Sequence, residues 1–277
     1  MNHFIRETIS RGLEEDIGHG DITSLLTIPE GMKAMARLLA KEDLVVAGLP
    51  FVQEVFRQVD PSVSISITFH DGSLVKKGDV IAEIIGEARS LLAGERLGLN
   101  ILQHVSGVAT LTRAYVGRVE GFHAKIADTR KTTPGLRSME KYGVLMGGGV
   151  NHRFGLYDGV LIKDNHIRVA GGVRQAVVMA RKAHHLLRIE VEVKDFNELQ
   201  EALDAGAEVI MLDNMSVEQM KEAVGIVRGR AIVEASGNVN IANVRAIAET
   251  GVDLISIGGL THSARAMDIS MKIIDEE

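Results

Sequence analysis

The chain has 277 residues, 45% of them hydrophobic and 25% charged, with a formal net charge of −6 at pH 7. That acidity, no Trp and only 4% aromatic residues argue against nucleic acid as the main partner. No apolar run approaches the roughly 20 residues of a bilayer span, and the absence of Cys removes disulfides, thiolate metal sites and cysteine nucleophiles together.

The length suits one large or two modest domains with ample core, and a reducing cytoplasm is the default compartment. The opening segment, MNHFIRETISRGLEED, is charged throughout and so is no signal peptide. Phe4, Ile5, Ile9 and Leu13 share one face of a helix predicted over residues 2–15. DIGHGDITS reads as a loop in which Asp21 or Thr23 caps or turns the chain. From Lys33 the text is strand-like, and Pro50 then opens a helix, FVQEVFRQV, at its tolerated first turn. VSISITF alternates, placing Val63, Ile65, Ile67 and Phe69 on one face of a half-buried strand. Turns at Asp71-Gly72 and Lys77-Gly78-Asp79 lead into VIAEII. A helix is expected from about Ser90, carrying Glu95 and Arg96 and breaking near Ser106-Gly107, with a domain boundary in the zone 105–120.

Beyond that zone short apolar runs end in polar residues and helical text separates them. The runs are AKIAD before Thr129, GVLIK before Asp164, RIEVEV before Lys194, EVIMLD before Asn214, RAIVEAS before Gly237 and DLISIG before Gly259. Six strand–helix units that deliver polar groups at their carboxyl ends favour an α/β barrel with chemistry on that face. An open doubly wound sheet is the alternative, weakened because no GxGxxG follows the first strand. His184-His185, in AVVMARKAHHLLR, reads as a surface pair on a helix. The closing segment SARAMDISMKII reads as a helix that packs back onto the first domain.

From Asp128 to His166 the acidic background reverses. Arg130, Lys131, Arg137, Lys141, His152, Arg153, Lys163 and His166 face only Asp128, Glu140, Asp158 and Asp164. Interrupted by Pro134 and Gly147-Gly148-Gly149, this cluster lacks the opposite-sign spacing of a solvated helix face. It suits loops aiming donors at a multiply anionic small molecule, the competing reading being a mobile basic surface loop.

Two carboxylates answer it. In RIEVEV, Glu190 and Glu192 alternate with Ile189, Val191 and Val193, and a parallel strand is normally apolar on both faces. Glu192 is nearer the carboxyl end and is the stronger site candidate, and Asp213 repeats the pattern one unit later. Such a pair can hold Mg²⁺ or accept ribose hydroxyls, although Asp213 could instead cap the helix beginning near Ser216. The last strands end in EASGN and SIGGLTHS, supplying Ser236, Gly237, Asn238, Gly258, Gly259 and His262, small or polar groups suited to a phosphate beside a helix start. No GxSxG, cysteine or HExxH is present, which disfavours nucleophilic and zinc hydrolases.

The strings GERLGLN with SGVAT, DTRKTTPGLR, GGGVNHR, LYDGVLIKDNH, EVEV, MLDN, EASGN and SIGGLTHS run in order from about Gly18 to His262. They resemble the quinolinate phosphoribosyltransferase family, also called carboxylating nicotinate-nucleotide pyrophosphorylases. DTRKTTPGLR and LIKDNH carry most of that specificity. The resemblance implies a homodimer with shared active sites, each chain having an N-terminal α/β sandwich domain (1–110), an open α/β barrel (111–265) and a C-terminal helix (266–277) on the first domain. It implies transfer of the phosphoribosyl group of 5-phosphoribosyl-1-diphosphate to quinolinate with loss of CO₂, giving nicotinate mononucleotide for NAD synthesis. By the same resemblance Thr129, Arg130, His152, Arg153 and Lys163 bind substrate, chiefly the dicarboxylate, and Arg96 reaches a partner's site. Lys131, Glu192 and Asp213 take the sugar diphosphate and the Mg²⁺ cofactor, and Ser236, Gly237, Asn238, Gly258, Gly259 and His262 take the 5-phosphate. The rival readings are a molybdenum-transport-associated homologue, expected to lack an intact LIKDNH, a phosphate-binding barrel isomerase and an anion-binding module without activity.

Overall fold

The computed structural model describes residues 1–182 and 185–274. In chain order the elements are α1 (His3–Ile17), α2 (Ile22–Thr27), β1 (Lys33–Ala40), β2 (Leu44–Val45), α3 (Leu49–Val59), β3 (Ser64–Ile67), β4 (Leu74–Val75), β5 (Val80–Glu87) and α4 (Ala88–Arg118). There follow β6 (Lys125–Ala127), α5 (Arg137–Met146), β7 (Val160–Ile162), α6 (Asp164–Ala170), α7 (Val173–Ala180), β8 (Ile189–Val193), α8 (Phe196–Ala205) and β9 (Val209–Asp213). The chain closes with α9 (Val217–Val227), β10 (Ile232–Ser236), α10 (Val244–Ala248), β11 (Leu254–Ser256), α11 (Gly259–His262) and β12 (Ile269–Ile274). Two units form, one from Met1–Arg113, Thr132–Gly148 and Leu260–Glu277, the other from Ala114–Lys131 and Gly149–Gly259.

The first unit is built on an antiparallel sheet of order β12-β1-β5-β3. Alternate residues Ala36, Leu38 and Ala40 of β1 enter a core with Val52 and Phe56 of α3 and Leu91, Leu99 and Leu102 of α4. The predicted Val63, Ile65, Ile67 and Phe69 face is half-buried against that core. On α1, Ile5, Ile9 and Leu13 are buried, whereas Phe4 is 72% exposed, because it lies one residue, about 100° of helix, off the buried stripe. Asp21 does cap, its carboxylate accepting from the Ser24 N–H at the start of α2.

Two expectations are corrected here. The helix near Ser90 does not break at Ser106-Gly107, and α4 runs unbroken over 31 residues. Ser106 is buried and its hydroxyl accepts from the Ala47 N–H and donates to the Ala47 carbonyl. At Gly107 any Cβ would collide with the Arg265 carbonyl oxygen. Both residues are small for close approach, and a helix tolerates such positions when packing repays the propensity loss. The second correction is the C-terminal helix. Residues 269–274 form a strand, β12, antiparallel to β1 from Ala40↔Ile269 to Met35↔Ile274. Ile269 and Met271 alternate into the core and the run is rich in β-branched Ile, so period-two burial against an open sheet edge overrides the helical reading of SARAM. Residues 275–277 of that predicted helix lie outside the described residues.

The second unit holds all six predicted runs as strands of one parallel sheet, in the order β6-β11-β10-β9-β8-β7. Read as a circle, β7 to β11 follow the chain and β6 comes next to β11. That is barrel order with an opening between β6 and β7, where Ala127 makes one parallel bridge to Val150. Outward residues such as Val191, Ile210 and Val233 are buried and apolar. The other face carries the polar residues described below. Predicted helical text after Ala180 ends at α7, leaving His185 exposed in a turn, while His184 lies outside the described residues. Among the described residues no helix is long and apolar enough to cross a membrane.

Candidate active site

A cavity of about 530 Å³ opens at the carboxyl ends of the parallel strands. Thr129, Arg130 and Lys131 enter it from the loop after β6, His152 and Arg153 from the loop before β7, and Lys163 from the end of β7. Glu192 and Asp213 stand at the ends of β8 and β9, and Ser236, Gly237 and Asn238 at the end of β10. A neighbouring hollow of about 510 Å³ shares Glu192 and Asp213.

The strand ends are fastened by hydrogen bonds that begin in the sequence. Asp128, fully buried after β6, accepts from the His152 N–H at 2.9 Å and so ties the second cationic loop to the first. Its own N–H donates to the Val150 carbonyl, beside the Ala127–Val150 bridge. At the other side, Asn214 (φ 54°), Gly237 (φ 91°) and Asn238 (φ 52°) are all left-handed, a conformation open mainly to Gly and Asn. The Asn214 N–H donates to the Ser236 carbonyl at 2.9 Å, and the Asn238 amide donates to Asn214 Oδ1 at 3.0 Å. A Cβ at Gly237 would strike that same Oδ1. Two adjacent turns are thereby locked into one, with small residues facing the cavity.

Lys163 Nζ lies 2.8 Å from Glu192 Oε2, an ion pair at the rim that is half-open to solvent. Asp213 is not a helix cap. Ser216 caps α9, in a reciprocal box with Gln219, which leaves the Asp213 carboxylate to the cavity with one hydrogen bond, from the Asn214 amide. Arg153 is desolvated, and burial followed by the nearby Arg130 guanidinium lowers its pKa, against the attraction of Glu190 and Asp158. Arg153 Nη1 donates to the Gly159 carbonyl, while its Nε is buried without a hydrogen-bond acceptor.

The floor carries a feature that the sequence reading did not assign. His152 Nε2 lies 3.0 Å from Glu190 Oε2 and 3.6 Å from Glu234 Oε2. Glu234 is 1% exposed and lines the cavity beside Leu161, Met211 and Ser256. Burial, then the charge of Glu190, pushes its carboxyl up to about 7, against the opposing pull of His152 and Ser256. Glu190 Oε1 and both Glu234 oxygens lack a well-formed hydrogen bond. The signal for Glu234 was present in RAIVEAS, an acid inside a parallel apolar strand, the same anomaly that marks RIEVEV.

Residues 21–106 match the quinolinate phosphoribosyl transferase N-terminal domain and residues 108–272 the C-terminal domain of that family. The chain is 44% identical over 275 residues to a Bacillus subtilis protein named "Probable nicotinate-nucleotide pyrophosphorylase [carboxylating]", covering 99% of this chain and 95% of that one. It is 43% identical to the Nicotiana tabacum "Quinolinate phosphoribosyltransferase [decarboxylating] 1b", covering 98% and 83%. The solved nicotinate-nucleotide pyrophosphorylase from Francisella tularensis superimposes with a TM-score of 0.95 at 41% identity, covering 99% of this chain and 97% of that one. The chain belongs to the quinolinate phosphoribosyltransferase family.

Of the residues that the family resemblance singled out, eleven line the cavity: Thr129, Arg130, Lys131, His152, Arg153, Lys163, Glu192, Asp213, Ser236, Gly237 and Asn238. Gly258, Gly259, His262 and Arg96 do not. Arg96 is exposed on α4 of the first unit, and His262 ends α11 in that unit. The eight-cation stretch also divides. Its middle is no loop but α5, so Arg137 and a buried Lys141 sit in the first unit. Close packing explains that helix, since a Cβ at Gly143 would press on the Val105 carbonyl and Val108. His166 accepts from the Lys163 N–H and lies outside the lining.

Proposed function

We infer that this protein transfers the phosphoribosyl group of 5-phosphoribosyl-1-diphosphate to quinolinate, releasing diphosphate and CO₂ and giving nicotinate mononucleotide. Family membership over nearly the whole chain carries this reading. The cavity supports it with Arg130, His152, Arg153 and Lys163 gathered above a buried floor. A desolvated guanidinium beside a second one is stabilised when a dianion arrives, so the dicarboxylate supplies the charge and acceptors that Arg153 lacks.

Ribosyl transfer breaks the anomeric C–O bond and builds oxocarbenium character. Glu192 and Asp213, both at the rim, stabilise that positive charge, while Lys131 receives the diphosphate. Hard carboxylate oxygens beside a water-accessible hollow fit Mg²⁺, and Glu192 and Asp213 are the residues that would hold it, supplying charge neutralisation to the leaving group. The locked Ser236-Gly237-Asn238 turn takes the 5-phosphate. We place the enzyme in the cytoplasm, from its lack of cysteine.

Incubation with quinolinate, phosphoribosyl diphosphate and Mg²⁺ yields CO₂ and diphosphate together, which neither a barrel isomerase nor an anion-binding module produces. Quinolinate is strongly preferred over nicotinate, because one carboxylate leaves part of the cation cluster unmatched. Equal kcat/KM for the two acids would remove this cluster from dicarboxylate recognition.

We propose a homodimer in which Arg96 completes the partner's site. Arg96→Ala subunits mixed with Lys163→Ala subunits then regain part of the activity, since some hybrids carry one intact site. Subunit exchange without recovery would favour a site contained in one chain.

A further inference from the structure

Loss of CO₂ from a pyridine ring leaves an electron pair on the ring carbon that held the carboxylate. Until that carbon takes a proton, CO₂ held in the cavity can recombine with it. A proton donor at the cavity floor therefore turns a reversible cleavage into product formation, and it must carry its proton at neutral pH. Glu192, paired with Lys163 at 2.8 Å, and Asp213, which accepts from the Asn214 amide, stand at the ends of their strands rather than on the cavity floor.

Glu234 differs from both. It is 1% exposed, lines the cavity, and neither oxygen has a well-formed hydrogen bond to stabilise a negative charge. The groups that face it are few. Glu190 from β8 adds a like charge, and the His152 ring from the preceding loop lies 3.6 Å away and 3.0 Å from Glu190. The neighbouring strands offer Met211 and Leu254 in register, with Ser256 beyond. Two buried carboxylates sharing one imidazole cannot both be stabilised as anions, so the more buried one keeps a proton.

We propose that Glu234 is the acid that protonates the ring carbon vacated by CO₂. The proposal rests on the placement of quinolinate over the His152 and Arg153 floor. In the step, the bond from the ring carbon to the carboxylate carbon breaks and its electron pair stays on the ring. The Glu234 O–H proton passes to that carbon, CO₂ departs, and the Glu234 carboxylate regains a proton from solvent as product leaves. His152 and Glu190 act as positioning residues, their 3.0 Å contact holding the imidazole beside the acid. The desolvation that raises the Glu234 carboxyl to about 7 gives it the acidity suited to this transfer.

The test separates the two half-reactions in a single turnover, with diphosphate and CO₂ measured on the same samples. Glu234→Gln keeps the shape of the side chain and loses the transferable proton. Diphosphate release is expected within about threefold of the parent rate, while CO₂ release slows by about 10²-fold, the lower range for general acid catalysis. The phosphoribosylated dicarboxylate then accumulates. In the parent enzyme, deuterated water slows CO₂ release and leaves diphosphate release unchanged, and CO₂ release declines as pH rises through neutrality. This second measurement decides the matter if the variant does not fold. Equal slowing of both products in the variant, or no isotope effect on CO₂ release, overturns the assignment. A parent enzyme that releases no diphosphate refutes the activity instead, so the two failures are distinct.

Discussion

Asp213→Asn and Glu192→Gln each slow turnover by two to three orders of magnitude while quinolinate still binds. Each change preserves shape and most hydrogen bonding and removes one negative charge. A loss of about 3–4 kcal/mol of transition-state stabilisation gives that range when a charge opposite a developing cation is neutralised. The two variants differ in a way that the geometry explains. Among the described residues Asp213 accepts a hydrogen bond from the Asn214 amide alone, which an asparagine oxygen can still accept. Glu192 also holds Lys163 at 2.8 Å, so its neutralisation loosens that lysine and makes the cavity more positive. Quinolinate affinity is therefore unchanged or improved in both variants, with the larger gain in Glu192→Gln, where Lys163 is also released. Folding stability holds in both, since Asp213 and Glu192 are partly open to solvent and support no apolar core. Binding titrations beside single-turnover rates check this. Lost quinolinate binding with unchanged chemistry would take both residues out of the catalytic role.

The second large effect is expected far from the chemistry. Ending the chain after Ala266 abolishes cooperative folding of the first unit. Met267, Ile269 and Met271 are all buried in the core that Leu38, Phe56 and Leu102 share. Truncating one such side chain to Ala costs about 2–5 kcal/mol. Three together reach the order of the 5–15 kcal/mol by which a domain is stable. The deletion also unpairs the outer edge of β1 from Met35 to Ala40. Calorimetry and far-ultraviolet circular dichroism decide the outcome. A truncated chain with a sharp transition within a few degrees of the parent would show that β12 is dispensable.

Much of this molecule is legible one residue at a time. Each of the six apolar runs from AKIAD to DLISIG becomes a strand, because a short apolar stretch bounded by turn chemistry has few other ways to bury itself. Glu192 and Asp213 stand out because a charge at the end of a buried parallel strand has no structural use unless something meets it. Pro50 marks a helix start for a reason local to its own backbone, and Asp21, read as a cap or turn within a loop, proves to cap α2, a short helix the sequence reading had not placed there.

What the sequence could not decide depended on partners distant along the chain. Ser106 and Gly107 look like a helix break until Ala47 and the Arg265 carbonyl are brought against them. Residues 269–274 look helical until the open edge of β1 supplies a ladder. Glu234 stands out in RAIVEAS only as an acid in an apolar strand, and what it meets is fixed by folding, which sets it 3.6 Å from His152, far earlier in the chain, with Glu190 3.0 Å from the same imidazole. Local propensity is a matter of tenths of a kcal/mol per residue, whereas burying a side chain or leaving a charge without solvent is a matter of several. Burial and desolvation act only once the chain has folded, and they determine which of the acids in this barrel keeps its proton.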